Sequence, residues 1–373
     1  MSNDLSKLLL SWYDKNGRRL PWRVRGGAHP DPYVILVSEL MLQQTTVKTV
    51  IPYFQRFMER FPTVQSLAEA PLEEVYFYWQ GLGYYTRARS LHATAGIIVS
   101  QYGGKFPQTR QEVLKLKGIG SYTVASFLAL AFNQPETVVD GNVIRIICRL
   151  YNLTEPVDEI AGLIRQKAEA LTDRTCPADY ASAIMDLGAG ICTPKNPQCL
   201  LCPWQNFCRA RGLENLENIP RRKKSGKKEK TGFVYLIHNN QNEILIRQRT
   251  EKGLLSGLYE FPWSEEKLFA EAEDTGLEVS HVFTHIKLTL RICLQQLWSG
   301  EAGKGLPRQF WRERLVRRLR GLRQRMRRLS GKGFRRKARP GELVLSAPYR
   351  DRSFPAGSSR GRRCDMAENG KCI

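Results

Sequence analysis

The chain has 373 residues, 42% of them hydrophobic, and a formal net charge of +22 at pH 7, enough length for two or three domains with cores of their own. No apolar run is long enough to cross a bilayer, and Met1-Ser2-Asn3-Asp4 opens no basic-then-apolar signal region, so a cytosolic protein is expected. The charge is uneven: residues 299–373 hold 22 Lys+Arg against 6 Asp+Glu, or +16, which leaves +6 for residues 1–298. A modest positive charge with local basic patches suits a polyanionic partner such as nucleic acid.

Leu5, Leu8, Leu9 and Trp12 repeat at helical spacing and predict a first amphipathic helix, which Leu20-Pro21-Trp22-Arg23 ends. After a loop through Pro30-Asp31-Pro32-Tyr33, residues 34–50 read as one mostly buried helix containing Glu39. A carboxylate inside an apolar helix is costly unless it is paired or used. Gln43 and Gln44 extend a polar strip beside it, so Glu39 reads as pocket-facing, with a raised pKa suited to general-acid work. A further helix is predicted over 67–79, ending in Gln80-Gly81-Leu82-Gly83-Tyr84-Tyr85-Thr86-Arg87-Ala88-Arg89. Aromatics interleaved with arginines at a helix junction suit a wedge that opens a duplex and holds its phosphates.

The stretch 113–142 organises the rest. Lys117-Gly118-Ile119-Gly120-Ser121 lies between two helical patterns, and its glycines allow a tight hairpin whose amides stay bare. The second helix starts near Ser121 with first-turn amides available to an anion. Beyond it, Asp140 precedes a helix over 143–150, an N-cap position that favours the ionised carboxylate. A helix over 181–187 then leads to Cys192, Cys199, Cys202 and Cys208, spaced Cys-x6-Cys-x2-Cys-x5-Cys. Four thiolates in one short window of a reducing compartment point to metal rather than disulfides. Chemistry by itself leaves zinc and iron–sulfur both open.

Residues 213–231 are a basic connector without apolar periodicity. Residues 233–237 and 243–249 read as strands joined by a hairpin at Asn239-Asn240-Gln241-Asn242, followed beyond Trp263 by a helix and a strand around Val282. From about Trp298 the pattern dissolves. The last 75 residues carry 18 Arg to 4 Lys, against 20 to 16 before them. That shift inside an unfinished domain reads as a lost reading frame rather than as a basic nucleic-acid-binding arm.

The hairpin with its distant aspartate, and the four-cysteine loop at all four spacings, resemble the endonuclease III superfamily of DNA glycosylases. The segment from Phe233 onward is similar to the Nudix-like domain of the MutY-type adenine glycosylases, and the resemblance as a whole covers roughly residues 5–297. It implies a multidomain α and α+β protein. An all-α helix–hairpin–helix core with an iron–sulfur loop (1–212, hairpin element about 111–132, loop 192–208) is followed by the connector, a partial Nudix-like α+β domain over 232–298, and an Arg-rich tail over 299–373. The magnesium-binding acidic pattern of true Nudix hydrolases is missing around Leu268-Phe269-Ala270-Glu271-Ala272-Glu273-Asp274, so no pyrophosphatase is expected.

The resemblance also implies an enzyme that hydrolyses the N-glycosidic bond of adenine mispaired with 8-oxoguanine or guanine in double-stranded DNA. Such an enzyme would act as a monomer with a 4Fe–4S cluster, in the cytoplasm of a bacterium and associated with its nucleoid. In it Glu39 would protonate the extruded adenine, Asp140 would face the cationic sugar, and Tyr122 and Asn142 would line the same site. Cys192, Cys199, Cys202 and Cys208 would hold the cluster. Gly118 and Gly120 would grip phosphate, and Gln44, Leu82 and Tyr84 would wedge the duplex. Phe283, Thr284 and His285 would read the opposite base, and Asp186 would belong to the adenine pocket. Two rivals stand beside this reading, a bifunctional glycosylase/lyase of the endonuclease III type and a non-enzymatic iron–sulfur DNA-binding protein. The first would carry a lysine where this chain has Tyr122, and the second has no need of both Glu39 and Asp140.

Overall fold

Helix α1 (Ser2–Asn16) turns Leu5 and Leu9 inward, while Leu8, which shares their spacing, is exposed. The computed structural model describes residues 2–24, 30–221, 228–238, 243–249, 258–283, 286–296 and 315–317. It divides into two compact units, one of residues 1–226, 245–262 and 305–315, the other of 227–244, 263–304 and 316–373. No helix among the described residues is long and apolar enough to cross a membrane.

In the first unit the single helix expected over 34–50 is two, α2 (Pro32–Leu42) and α3 (Val47–Arg60). Gln44 between them is left-handed (φ 58°), and the Thr46 side chain caps α3 by accepting from the Thr49 amide. A cap inside a continuous apolar pattern thus wins over helix continuation. The helix expected over 67–79 is likewise divided into α4 (Val64–Glu69) and α5 (Leu72–Trp79). Pro71, which has no amide to donate, is the residue at the break. There follow α6 (Thr86–Tyr102), the single turn α7 (Arg110–Val113), α8 (Ser121–Phe132), α9 (Gly141–Tyr151), α10 (Ala161–Leu171) and α11 (Pro177–Asp186), which runs on into a π-helical turn, Leu187–Ile191.

Helix α8 is buried from Thr123 to Ala131 and packs against both α2 and α11, so it is the axis of this unit. One core gathers α2 to α6 around it, with Phe57, Phe61 and Trp79 at the centre. A second core joins α1, α9, α10 and α11, and Trp204 of the cysteine loop enters it, donating through Nε1 to the Leu5 carbonyl at 2.8 Å.

In the second unit β1 (Lys228–His238) is the central strand. Strand β2 (Glu243–Leu245) pairs with it antiparallel at His238↔Ile244, and the connection 239–242 lies outside the described residues. The short β3 (Arg247–Gln248) and β4 (Tyr259–Glu260), which belong to the first unit, pair with each other, Glu260 accepting from Arg247 and Arg249. Strand β5 (Trp263–Ser264) lies against β1 at Val234↔Trp263. The helix expected after Trp263 is not formed: residues 265–272 are irregular, and Glu273 already opens β6 (Glu273–Val282). Strand β7 (Ile286–Gln296) pairs antiparallel with β6 and parallel with β1, from Lys228↔Ile286 to His238↔Gln296. Inside the segment expected to lack domain structure, Leu315–Arg317 forms strand β8, and the sheet order is β6-β7-β1-β2-β8.

Candidate active site

Glu39 sits on α2 facing α8, with only 5% of its surface exposed. Its Oε2 accepts a 2.6 Å hydrogen bond from Ser126 Oγ. Burial foremost raises the Glu39 carboxyl above the usual carboxylate range. The Ser126 hydroxyl and the Arg23 charge oppose that rise and the Asp140 charge adds to it. Glu39 is thus coupled electrostatically to Arg23 and Asp140. Burial, then the charges of Glu39 and Asp140, also push the Tyr122 phenol upward, so Tyr122 shares the site, with its hydroxyl 3.8 Å from Met185 Sδ. The expected trio of Glu39, Asp140 and Tyr122 is therefore brought together by three separate helices, α2, α8 and the start of α9.

Asp140 is the N-cap of α9. Its Oδ1 accepts from the amides of Asn142 and Val143 at 2.9 and 2.7 Å, and its Oδ2 from Asn142 Nδ2 at 2.9 Å. Asn142 is fixed in turn by Arg145, whose Nη2 donates to Asn142 Oδ1 at 2.9 Å and to the Gly188 carbonyl at 2.7 Å. A Cβ on Gly188 would come within 2.6 Å of Asn142 Cβ, so the glycine is what lets the π-helical turn approach. Arg145 Nε donates to the carbonyl of Cys192 at 2.7 Å, which carries the contact on to the cysteine loop.

The hairpin between α7 and α8 turns at Gly118, with φ +74°, where a Cβ would meet Ser90 Cβ at 2.5 Å. Gly120 is the N-cap of α8 and supplies no side-chain cap, so the first-turn amides stay open toward an anion. Gln44 and Tyr84 are exposed and both left-handed, at φ 58° and 49°. Leu82 departs from the wedge expectation. It is 5% exposed and packed in the first core, because the Gly81 and Gly83 turns fold it under rather than outward. Asp186 is also engaged elsewhere: both its oxygens accept from Arg18 and Arg23, at 2.6 to 2.9 Å. Burial alone would raise its pKa, but the bonds and charge of Arg23, then of Arg18, hold it below the usual range. The carboxylate thus clamps the segment that brings Arg23 to Glu39.

Cys192, Cys199, Cys202 and Cys208 line a single cavity with Arg149, whose Nη1 donates to Cys192 Sγ at 3.5 Å; none of the four is in a disulfide. Burial foremost, along with the other three sulfurs, pushes the Cys202 thiol up to about 12, a cost that bound metal would reverse. No three His, Cys, Asp or Glu side chains among the described residues close on one ion position. Four cysteine thiols gathered around one cavity are a donor set that an iron–sulfur cluster could take. In the second unit, the Phe283 amide donates to the Ile286 carbonyl at 2.7 Å and its ring stands edge-on to His281 at 4.5 Å. Thr284 and His285 lie outside the described residues.

The reading of the sequence missed Ser126, Arg18, Arg23 and Arg145, and it took Arg87 for a phosphate contact, whereas that guanidinium is buried and donates to backbone carbonyls of α2. Only Ser126 carried a signal, since it follows Tyr122 by four residues and so shares its helix face. The arginines reach partners far away in sequence.

Three family models match the chain: the HhH-GPD superfamily base excision DNA repair protein over residues 37–173, the iron–sulfur binding domain of endonuclease III over 192–208, and the NUDIX domain over 233–317. The last runs past residue 298, where the alternating pattern fades. A thermostable thymine-DNA glycosylase of known structure superposes with a TM-score of 0.50 at 28% identity, covering 56% of this chain and 95% of that one. The adenine DNA glycosylase of Rattus norvegicus is 35% identical over 355 residues, 76% of this chain and 69% of the relative. That of Buchnera aphidicola from Schizaphis graminum is 39% identical over 270 residues, 70% and 76% of the two chains. With the helical core, the iron–sulfur loop and the sheet domain all matched in order, the chain belongs to the adenine DNA glycosylases.

Proposed function

We propose that this enzyme removes adenine mispaired with 8-oxoguanine or guanine from double-stranded DNA, as a monofunctional glycosylase acting as a monomer and holding a 4Fe–4S cluster. The observation that carries the chemistry is the Glu39–Ser126 pair coupled to Asp140, an acid whose pKa burial raises beside a carboxylate spent on a helix N-terminus. Glu39 then delivers its proton to the extruded base, and the leaving adenine departs neutral. Asp140, anchored by three donors, faces the positive charge that develops on the sugar, much as paired carboxylates act in glycosidases. Tyr122 and Asn142 shape the same pocket, and Asp186 acts through Arg23.

The amides after Gly118 and Gly120 hold the backbone phosphate, while Gln44 and Tyr84 enter the stack. Phe283, Thr284 and His285 contact the opposite base. Cys192, Cys199, Cys202 and Cys208 hold the cluster, which supplies the fold of a loop with little core of its own. Because the position two residues after Gly120 is Tyr122 and not lysine, no imine forms and the product is an abasic site. The protein works where its substrate is, in the bacterial cytoplasm at the nucleoid. The domain reading is a helical region to about residue 212, a basic connector whose last residues, 228–231, already pair in β1, and a mismatch-reading domain that follows.

Single-turnover incubation with an adenine:8-oxoguanine duplex tests the reading. Free adenine and alkali-sensitive sites are expected, with no protein trapped on DNA by borohydride. Absence of adenine release overturns the function, and efficient trapping favours the lyase.

A further inference from the structure

The turns that carry Gln44 and Tyr84 are far apart in sequence, each is held in a backbone conformation that non-glycine residues avoid, and one buried side chain joins them. Arg87, at the start of α6, is 6% exposed. Its Nη1 donates to the carbonyls of Leu40 and Met41 at 3.0 and 2.7 Å and to that of Gln43. Its Nη2 donates to Thr45 Oγ1 at 3.1 Å, to the Gly83 carbonyl at 3.2 Å and to the Leu82 carbonyl at 3.4 Å. The guanidinium also lies over the rings of Trp79 and Tyr84, 5.5 and 5.2 Å from their centroids.

These contacts bind both turns at their backbones. Leu40 and Met41 are among the last carbonyls of α2, which lack intrahelical partners, and Arg87 satisfies them where α2 must stop so that Gln44 can turn outward. The other amino group takes the carbonyls that precede Tyr84. Left-handed non-glycine residues persist only where the surroundings over-determine them. A lysine in this place would offer one point of charge to acceptors spread around a planar fork. Burial draws the guanidinium down to about 10, so it stays charged at neutral pH.

We infer that Arg87 is the positioning residue that locks the Gln44 and Tyr84 turns in a fixed mutual register, so that both side chains enter the duplex together. The inference rests on the reading of Gln44 and Tyr84 as wedges. Arg87 itself touches no reacting atom. Its effect is confined to opening the stack, and it acts before the proton transfer.

The full chain with Arg87→Met or Arg87→Lys is compared with the unmodified chain in single-turnover excision from two duplexes. In one the adenine:8-oxoguanine mispair is flanked by normal pairs; in the other both flanking pairs are mismatched, so the stack is already broken. A 2-aminopurine beside the mispair reports unstacking on binding. With Arg87→Met, the rate on the normally flanked duplex falls roughly 10- to 100-fold, the fluorescence rise is lost, and the rate on the pre-opened duplex is little changed. Arg87→Lys falls between. Equal losses on the two duplexes, or none on the first, overturn the inference. Should Arg87→Met not fold, Thr45→Val removes one acceptor on the Gln44 turn and carries the test, with a loss of roughly 3- to 10-fold on the normally flanked duplex alone. If Gln44→Ala and Tyr84→Ala excise normally from that duplex, the wedge reading falls and the role of Arg87 with it. If they are impaired and Arg87→Met is not, the wedge stands and the role of Arg87 alone is overturned.

Discussion

Arg145 Nη2 lies 2.9 Å from Asn142 Oδ1, and through that amide the cysteine loop is joined to Asp140. The links run from the Cys192 carbonyl to Arg145, to Asn142 and to the Asp140 carboxylate, each between 2.7 and 2.9 Å. A carboxylate that must face a transient positive charge is thus oriented through Arg145, whose own anchor, Cys192, lies 47 positions beyond that arginine in sequence.

Arg145→Lys keeps the charge but not the fork, so it holds the Cys192 carbonyl or Asn142, not both. Excision is expected to fall roughly 10- to 100-fold in single turnover while the visible absorbance of the iron–sulfur centre is retained. An unchanged rate would show that Asp140 is held well enough by its own helix.

Gly188→Ala probes the same junction from the other side. The added methyl meets Asn142 Cβ at 2.6 Å and Ile146 Cδ1 at 3.3 Å, so α9 or the π-helical turn must shift. Overpacking of this kind costs about 1–3 kcal/mol, and activity is expected to fall further than the lost stability explains. Chemical denaturation together with single-turnover rates at low temperature separates the two effects.

Glu39→Gln is expected to abolish excision, since loss of a general acid costs about 100- to 10,000-fold, while DNA binding is retained. It also has a stability signature. The folded-state pKa of Glu39 is raised, so the neutral form is favoured by the fold and ionisation opposes it. The burden is absent below the ordinary value of 4.5, where the carboxyl is neutral in both states, and grows as pH rises above it. The glutamine variant should therefore melt higher than the parent at neutral pH, with the difference closing on acidification. A lower melting temperature at neutral pH would place Glu39 in a net stabilising ion pair instead.

Asp186→Asn leaves Arg18 and Arg23 without their carboxylate. Removing one partner of a buried pair costs about 3–5 kcal/mol, and Arg23, released, no longer reaches Glu39. The Asp186 pKa is depressed, so its contribution is present above the ordinary value of 3.8 and is lost as pH falls through the lower folded value. The gap in stability between parent and variant should be full at neutral pH and shrink only in strong acid.

Cys202→Ser is expected to unfold the loop, and because Trp204 donates to the Leu5 carbonyl, the loosening should reach α1. Hydrogen exchange over residues 2–16 measures this. Unchanged protection there would confine the damage to the loop.

What the sequence determined by itself were the features whose cause is local. The Gly118 turn, the Asp140 cap and the spacing of the four cysteines each depend on neighbours a few residues away, and each is legible in order along the chain. The apolar setting of Glu39 also showed, because burying a carboxylate breaks a pattern that can be counted. The breaks after Leu42 and at Pro71 were less legible, since a cap competes with continuing apolar periodicity and a sequence records both. Leu82 and Asp186 could not be placed at all. Whether a leucine between two glycines points out or in is decided by the backbone angles that the turn adopts once Trp79 and Arg87 pack around it. The partners of Asp186 lie 163 and 168 residues before it. The same holds for Arg87 and Arg145, whose long side chains satisfy carbonyls on elements brought near only when the helices pack. An arginine in a sequence is a charge on a long flexible stem with no address, and the tertiary structure alone supplies the acceptors that give it one.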